Sequence, residues 1–217
     1  MTTHISESSN LSLNPSPLHA NALTCVRGER ILFTGLDLDL PAGEWLHLRG
    51  ENGIGKTSLL RLLAGLAKPA GGEIFWNEQL ISADPSEYHR NLLFLGHRDS
   101  LKEDLTALEN LSIVTALDGV TVSKEAILLA LHRFGLRGRE DLPVNCLSAG
   151  QKRRVILARL LLRQAKLWIL DEPFNALDVR AVEMLSELIL EHIASGGMAI
   201  MTSHQEIPMP NGRVVQL

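Results

Sequence analysis

The sequence predicts an α/β domain with a mixed or parallel sheet core, a β-rich lobe near its amino end and a helical subdomain inserted into the core. Three stretches carry that prediction. "GEWLHLRGENGIGKTS" (43–58) reads as a strand, a glycine-rich turn and the start of a helix. "KLWILDEP" (166–173) is a near-continuous apolar run suited to a parallel strand covered on both faces. Between them, residues 103–141 are mostly helical by pattern, with turn signals at "LDG" and "GLRGRE".

In chain order, "MTTHISESSNLSLNPSPLHA" is rich in Ser, Asn and Pro, and it lacks the basic start and apolar centre of a signal peptide. It reads as a flexible tail over 1–21, with the folded chain expected over 22–217. "LDLDL" (36–40) alternates apolar and acidic residues, the period of a half-buried strand. After the glycine-rich turn, leucines 59, 60, 62, 63 and 66 keep helical spacing on one face. "GGEIFWN" (71–77) reads as a strand of the β-rich lobe. The helical subdomain is expected over about 97–150. A helix over 151–164, the strand "KLWILDEP", a helix around 179–194 and the strand "GMAIMTSH" (197–204) then complete an alternating β/α series.

Composition narrows the function. The chain has 217 residues, 45% of them hydrophobic and 21% charged, as in a globular protein with a substantial core. A net charge of −4 provides no basic footprint for nucleic acid, so no nucleic-acid partner is expected. Two cysteines, Cys25 and Cys146, are too few for a disulfide framework and fit a reducing cytosol. No run approaches the roughly 18 apolar residues that would span a bilayer. Membrane association is therefore expected only through a partner.

"GENGIGKTS" comprises Gly50, Glu51, Asn52, Gly53, Ile54, Gly55, Lys56, Thr57 and Ser58. It satisfies the phosphate-loop pattern G-x-x-x-x-G-K-[ST] between a strand and a helix, the context that motif requires. The glycines let backbone N–H groups turn toward a phosphate, Lys56 brings charge to the β- and γ-phosphates, and Thr57 offers a hydroxyl to Mg²⁺. An isolated match of this kind also describes a glycine turn beside a surface lysine. Asp171 and Glu172 weigh against that reading, because they end a buried strand at the carboxyl edge of the sheet, where α/β ligands bind. Asp171 is expected in the Mg²⁺ shell, directly or through water, and Glu172 as general base for the attacking water. His204 ends another predicted parallel strand on the same edge, within reach of the γ-phosphate or that water. A second anion-binding signal stands far downstream: in "LSAGQ", Leu147, Ser148, Ala149, Gly150 and Gln151, a hydroxyl, a glycine and a helix start converge.

Taken together, "GENGIGKTS", "LSAGQ", "LWILDEP", "NALD" (175–178) and His204 resemble, in order and spacing, the ATP-binding subunits of ABC transporters, from about residue 22 to 217. Within that family, "LGHRDSLKEDLTALENL" (95–111), "LSAGQKRRVILARLLL" (147–162) and "LDEPFNALD" (170–178) are most similar to the haem-exporter branch serving cytochrome c maturation. The resemblance implies a P-loop NTPase fold of the ABC ATPase type, hydrolysing ATP with Mg²⁺ beneath integral membrane permease subunits. It also implies a peripheral position on the cytoplasmic face of a bacterial inner membrane. Two copies would face head to tail, each "LSAGQ" capping the ATP held by the other copy's phosphate loop. Glu172 and His204 then take the catalytic places.

Two departures from the family pattern stand out. The family usually has a glutamine where His97 stands, so His97 joins Thr57 and Asp171 as a candidate for the metal shell. An aromatic ring usually stacks on adenine, whereas "CVRGERILF" (25–33) offers Arg27 and Arg30, whose guanidinium planes can stack in its place. Other readings are an ABC-type ATPase outside transport, a P-loop GTPase or kinase, and a regulatory module that binds nucleotide without hydrolysis. The first would carry coiled-coil insertions or a second ATPase half; the second, a guanine-reading Asn-Lys-x-Asp, with no "LSAGQ"; the third would not place Glu172 beside Asp171.

Overall fold

The computed structural model describes residues 17–96 and 101–217. The chain runs through β1 (Leu18–Arg27), β2 (Arg30–Leu40), β3 (Trp45–Arg49), α1 (Lys56–Leu63), β4 (Gly71–Trp76), β5 (Gln79–Leu80), α2 (Pro85–Arg90) and β6 (Leu92–Leu95). It continues through α3 (Ala107–Leu117), α4 (Lys124–Arg133), a 3-10 turn (Val144–Cys146), α5 (Ala149–Leu157), α6 (Arg159–Leu162), β7 (Leu167–Leu170), α7 (Val179–Ala194), β8 (Met198–Thr202) and β9 (Arg213–Gln216).

The strands form two sheets. In the lobe, the order β2-β1-β4-β5 is antiparallel throughout. In the core, the order β6-β7-β8-β3-β9 is wholly parallel. The antiparallel sheet is thus confined to the lobe, and the core has the sheet type that its apolar strands demand.

The period of two along each core strand divides the interior. Leu167, Ile169, Met198, Ile200, Leu46 and Leu48 face the lobe and α1. Trp168, Leu170, Ala199, Met201 and Trp45 face the helical side, with α3 to α7. On α1, Leu59, Leu60 and Leu63 are fully buried, and truncating one of them to Ala would cost about 2–5 kcal/mol. Short polar caps set the helix starts: Thr106 with Glu109 on α3, Ser123 on α4, Ser148 with Gln151 on α5 and Asp178 on α7.

Three boundaries differ from expectation. Strand β1 begins at Leu18, so residues 18–21, assigned above to the tail, pair with β2 and β4; the rest of that tail, up to residue 16, lies outside the described residues. The helix expected over 151–164 begins at Ala149, tightens at Ala158, where Leu161 N donates to Ala158 O, and ends at Leu162. The apolar strand ends at Leu170, which places Asp171 and Glu172 just beyond its carboxyl end. Parallel pairing brings that end together with the ends of β3 and β8 on one edge.

Candidate active site

At the end of β3 the chain curls through Gly50–Gly55 and enters α1 at Lys56. Gly55 needs its glycine: its φ is +123°, and a Cβ there would lie 3.2 Å from Leu32 Cβ. Helix α1 has no side-chain cap and no acidic residue in its first turn, so its amino-terminal N–H groups and positive dipole end face the loop uncompensated. The Lys56 ammonium is buried inside the curl, donating to Gly50 O at 2.6 Å and Glu51 O at 3.1 Å.

The carboxylates converge on this loop. Asp171 is 2% exposed. Its Oδ2 accepts from Thr57 Oγ1 at 2.9 Å, and its Oδ1 accepts from Thr202 Oγ1 at 2.7 Å. The same Thr202 hydroxyl accepts from Glu172 N at 2.9 Å. Glu172 has a left-handed backbone, φ +52°, which turns the chain sharply out of the sheet. Its side chain is buried, with Oε1 3.1 Å from His204 Nε2 and Oε2 without a hydrogen-bond partner. The His204 side chain is half exposed. Beneath it, His47 Nε2 lies 3.3 Å from Ser203 O, and burial holds the His47 pKa below its ordinary value despite that hydrogen bond.

Lys56, Thr57, Asp171, Glu172 and His204 line one cavity of about 470 Å³, together with Arg27, Arg30 and Leu32 of the lobe. Thr57 and Asp171 present hard oxygen donors beside the phosphate loop, and the buried, unpartnered Glu172 Oε2 adds a third oxygen nearby. This donor set suits Mg²⁺. His97 lies outside the described residues.

Leu147 to Gln151 do not line that cavity. Leu147 is buried, whereas Ser148 and Ala149 are exposed. The Ser148 hydroxyl accepts from Gln151 N while Gln151 Oε1 accepts from Ser148 N, a reciprocal cap at the start of α5. Gly150 packs against the turn after β7, where a Cβ would meet Ala176 O at 2.7 Å. Nearby, Arg154 pairs with Asp178 of "NALD".

Of the residues singled out in the sequence, the structure joins Lys56, Thr57, Asp171, Glu172 and His204 and keeps "LSAGQ" apart. Sequence reasoning missed Thr202, whose signal is a hydroxyl two positions before His204 in an apolar run. It also missed Arg153, buried under the acidic turn.

The sequence model of the ABC transporter family matches residues 33–175. The chain is 51% identical to the cytochrome c biogenesis ATP-binding export protein CcmA of Dechloromonas aromatica, over 92% of this chain and 98% of that protein. It is 49% identical to the Escherichia coli K12 protein of the same name, over 91% and 93%. Among solved structures, a putative ABC transporter ATP-binding protein from Pyrococcus furiosus superposes with a TM-score of 0.79 at 28% identity, covering 92% of this chain and 96% of that one. The dimeric, post-hydrolysis ATP-binding cassette MJ0796, bound to ADP and Pi, shares the fold at a TM-score of 0.80 and 24% identity, covering 92% and 94%. Among the described residues no helix is long and apolar enough to cross a membrane. By that family match and these relatives, the chain belongs to the ABC transporter family as an ATP-binding, ATP-hydrolysing member.

Proposed function

We propose that this chain is the ATP-hydrolysing subunit of a transport complex in cytochrome c maturation, driving haem export or the release of a haem-loaded chaperone. One observation carries the hydrolytic reading: Glu172, buried and left-handed at the strand end, has one carboxylate oxygen on His204 and the other unpartnered, while the adjacent Asp171 is bonded to Thr57 of the phosphate loop. The pathway rests on the half-identical relatives named above, which align along nearly the whole chain.

In this reading the loop N–H groups, the α1 amino end and Lys56 bind the β- and γ-phosphates. The Lys56 ammonium exchanges the two carbonyls that hold it for phosphate oxygens. Glu172 accepts the proton of a water whose oxygen attacks the γ-phosphorus; the bond to the β-bridging oxygen breaks and ADP leaves. His204 holds the other carboxylate oxygen and, being half exposed, reaches toward the γ-phosphate. Thr57 and Asp171 would hold Mg²⁺, which would supply charge neutralisation for the phosphate oxygens. Arg27 and Arg30 face the base from the lobe and stack on adenine through their guanidinium planes.

The exposed Ser148 and the half-buried Gly150 serve a second copy, capping the ATP on its phosphate loop. Integral membrane subunits of the haem-exporter type push coupling helices into a groove between the core and residues near 97–146, holding the chain on the cytoplasmic face of a bacterial inner membrane. The test is haem staining of c-type cytochromes in a strain whose only copy carries Glu172→Gln. Their loss, with b-type cytochromes still formed, is the expected outcome; normal amounts would leave the ATPase and discard the haem pathway.

A further inference from the structure

Helix α5 carries a side chain that neither the phosphate loop nor the signature accounts for. Arg153 is 5% exposed, and its guanidinium is turned under the acidic turn that follows β7. Nη2 donates to Asp171 O at 3.0 Å and to Glu172 O at 2.8 Å, and Nε donates to Pro173 O at 3.4 Å. Three consecutive carbonyls leaving the sheet thus share one rigid fork of donors, an arrangement that a flexible ammonium cannot reproduce.

That backbone needs holding. Glu172 is a non-glycine residue in the left-handed region, a conformation that persists only where its surroundings over-determine it. Thr202 fixes the turn through Glu172 N from one side, and Arg153 fixes it through the carbonyls from the other. Arg153 also stands five residues after Ser148 on the same helix. We propose that Arg153 is a positioning residue for hydrolysis: it holds the Glu172 turn in its productive geometry and ties it rigidly to the helix whose amino end meets the partner copy's ATP. This rests on the hydrolytic reading of Glu172, and its second half on the head-to-tail pair. Each subunit's α5 would then join the nucleotide of one site to the catalytic carboxylate of the other.

The experiment compares Arg153→Met and Arg153→Lys with the unaltered protein and Glu172→Gln. Kd for MgATP is measured on the separate subunit, kcat by phosphate release and the ATP-held dimer by sedimentation. A displaced base costs rate but not ground-state binding, so Arg153→Met should lower kcat about 100-fold with Kd unchanged within about twofold. Arg153→Lys keeps the charge and N–H donors but not the planar fork, so it should recover part of the rate. Slow turnover with intact binding should also make the Arg153→Met dimer persist in MgATP, a result that loss of packing alone would not produce. If Arg153→Met does not fold, Arg153→Lys decides by the same split of kcat from Kd. Unchanged kcat, or kcat and affinity falling together, would overturn the proposal. A Glu172→Gln protein that also forms no dimer would strike the head-to-tail reading instead, and the split of kcat from Kd would still judge Arg153. Normal turnover by Glu172→Gln would remove the group being positioned, and the proposal with it.

Discussion

Thr202 Oγ1 donates to Asp171 Oδ1 across 2.7 Å, and its own lone pair receives the N–H of Glu172. One hydroxyl therefore orients the Asp171 carboxylate and fixes the backbone of Glu172, the two residues proposed to hold Mg²⁺ and to act as base. Both partners are buried, so removing the hydroxyl strands a carboxylate oxygen and an N–H together. Thr202→Val, nearly isosteric, should cost about 1–3 kcal/mol and lower kcat, while Thr202→Ser restores both. Thermal melts and phosphate release check it; a Val variant with full activity and unchanged Tm would show that the hydroxyl is dispensable.

Lys56→Ala removes the ammonium held by Gly50 O and Glu51 O. Charge-assisted hydrogen bonds are worth about 1.5–3 kcal/mol each, so ATP affinity should fall about tenfold or more and hydrolysis with it. The leucine face of α1 is untouched, so the fold should survive. Calorimetric ATP titration with circular dichroism on the same sample measures both, and ordinary affinity in a folded variant would refute the loop assignment.

Glu172→Gln keeps the shape and the contact with His204 but removes the proton acceptor. Hydrolysis should drop about 10²–10⁴-fold with ATP binding retained. Turnover at the normal rate would exclude Glu172 as the base.

The legibility of these groups follows from how each is encoded. The phosphate loop is local: nine consecutive residues carry glycines, charge and hydroxyl, and the helix they open is fixed by its own leucines. The acidic pair is legible because an apolar strand must end before charges begin. Arg153 is not legible, since "KRR" does not say which cation turns inward. On the helix the three diverge by about 100° each: Lys152 reaches Glu103, Arg154 reaches Asp178 and Arg153 goes into the core. Strand β1 was hidden by its register shift. Its buried residues are Leu18 and Ala20, then Leu23 and Cys25, so the alternation slips by one at Ala22, whose φ is +49°. Strands β6 and β9 have four residues each, too few to show a period, and β9 is mostly exposed.

Two histidines set a pH dependence of stability. His192 stacks on Trp168, ring centroids 3.8 Å apart, with Nε2 3.2 Å from Met198 O. Burial lowers its pKa, as it does that of His47, against the ordinary 6.5. The unfolded chain therefore takes up protons first as pH falls, and stability present above about pH 6.5 is lost toward the folded-state values. Melts from about pH 7.5 to about pH 5.5 should show Tm falling, and a His47→Gln/His192→Phe double variant should flatten that slope. An unaltered protein whose Tm stays constant over that range would contradict the assignment.

The last prediction concerns the shared site. Ser148 is exposed, caps its own helix and does not line its own subunit's phosphate cavity. In the proposed head-to-tail pair it serves a partner copy, where the α5 amino end and the Gly150 N–H would meet the γ-phosphate. Ser148→Arg should leave ATP binding to the subunit's own loop intact, yet block closure and abolish hydrolysis. Lys56→Ala should abolish it from the other side. In a mixed pair, one composite site carries both lesions and the other carries neither, because the intact loop of the Ser148→Arg subunit faces the intact signature of the Lys56→Ala subunit. Mixing two inactive proteins should therefore restore phosphate release. A mixture that stays inactive although sedimentation shows mixed pairs forming, or a protein that is fully active as a monomer, would refute the two-chain site.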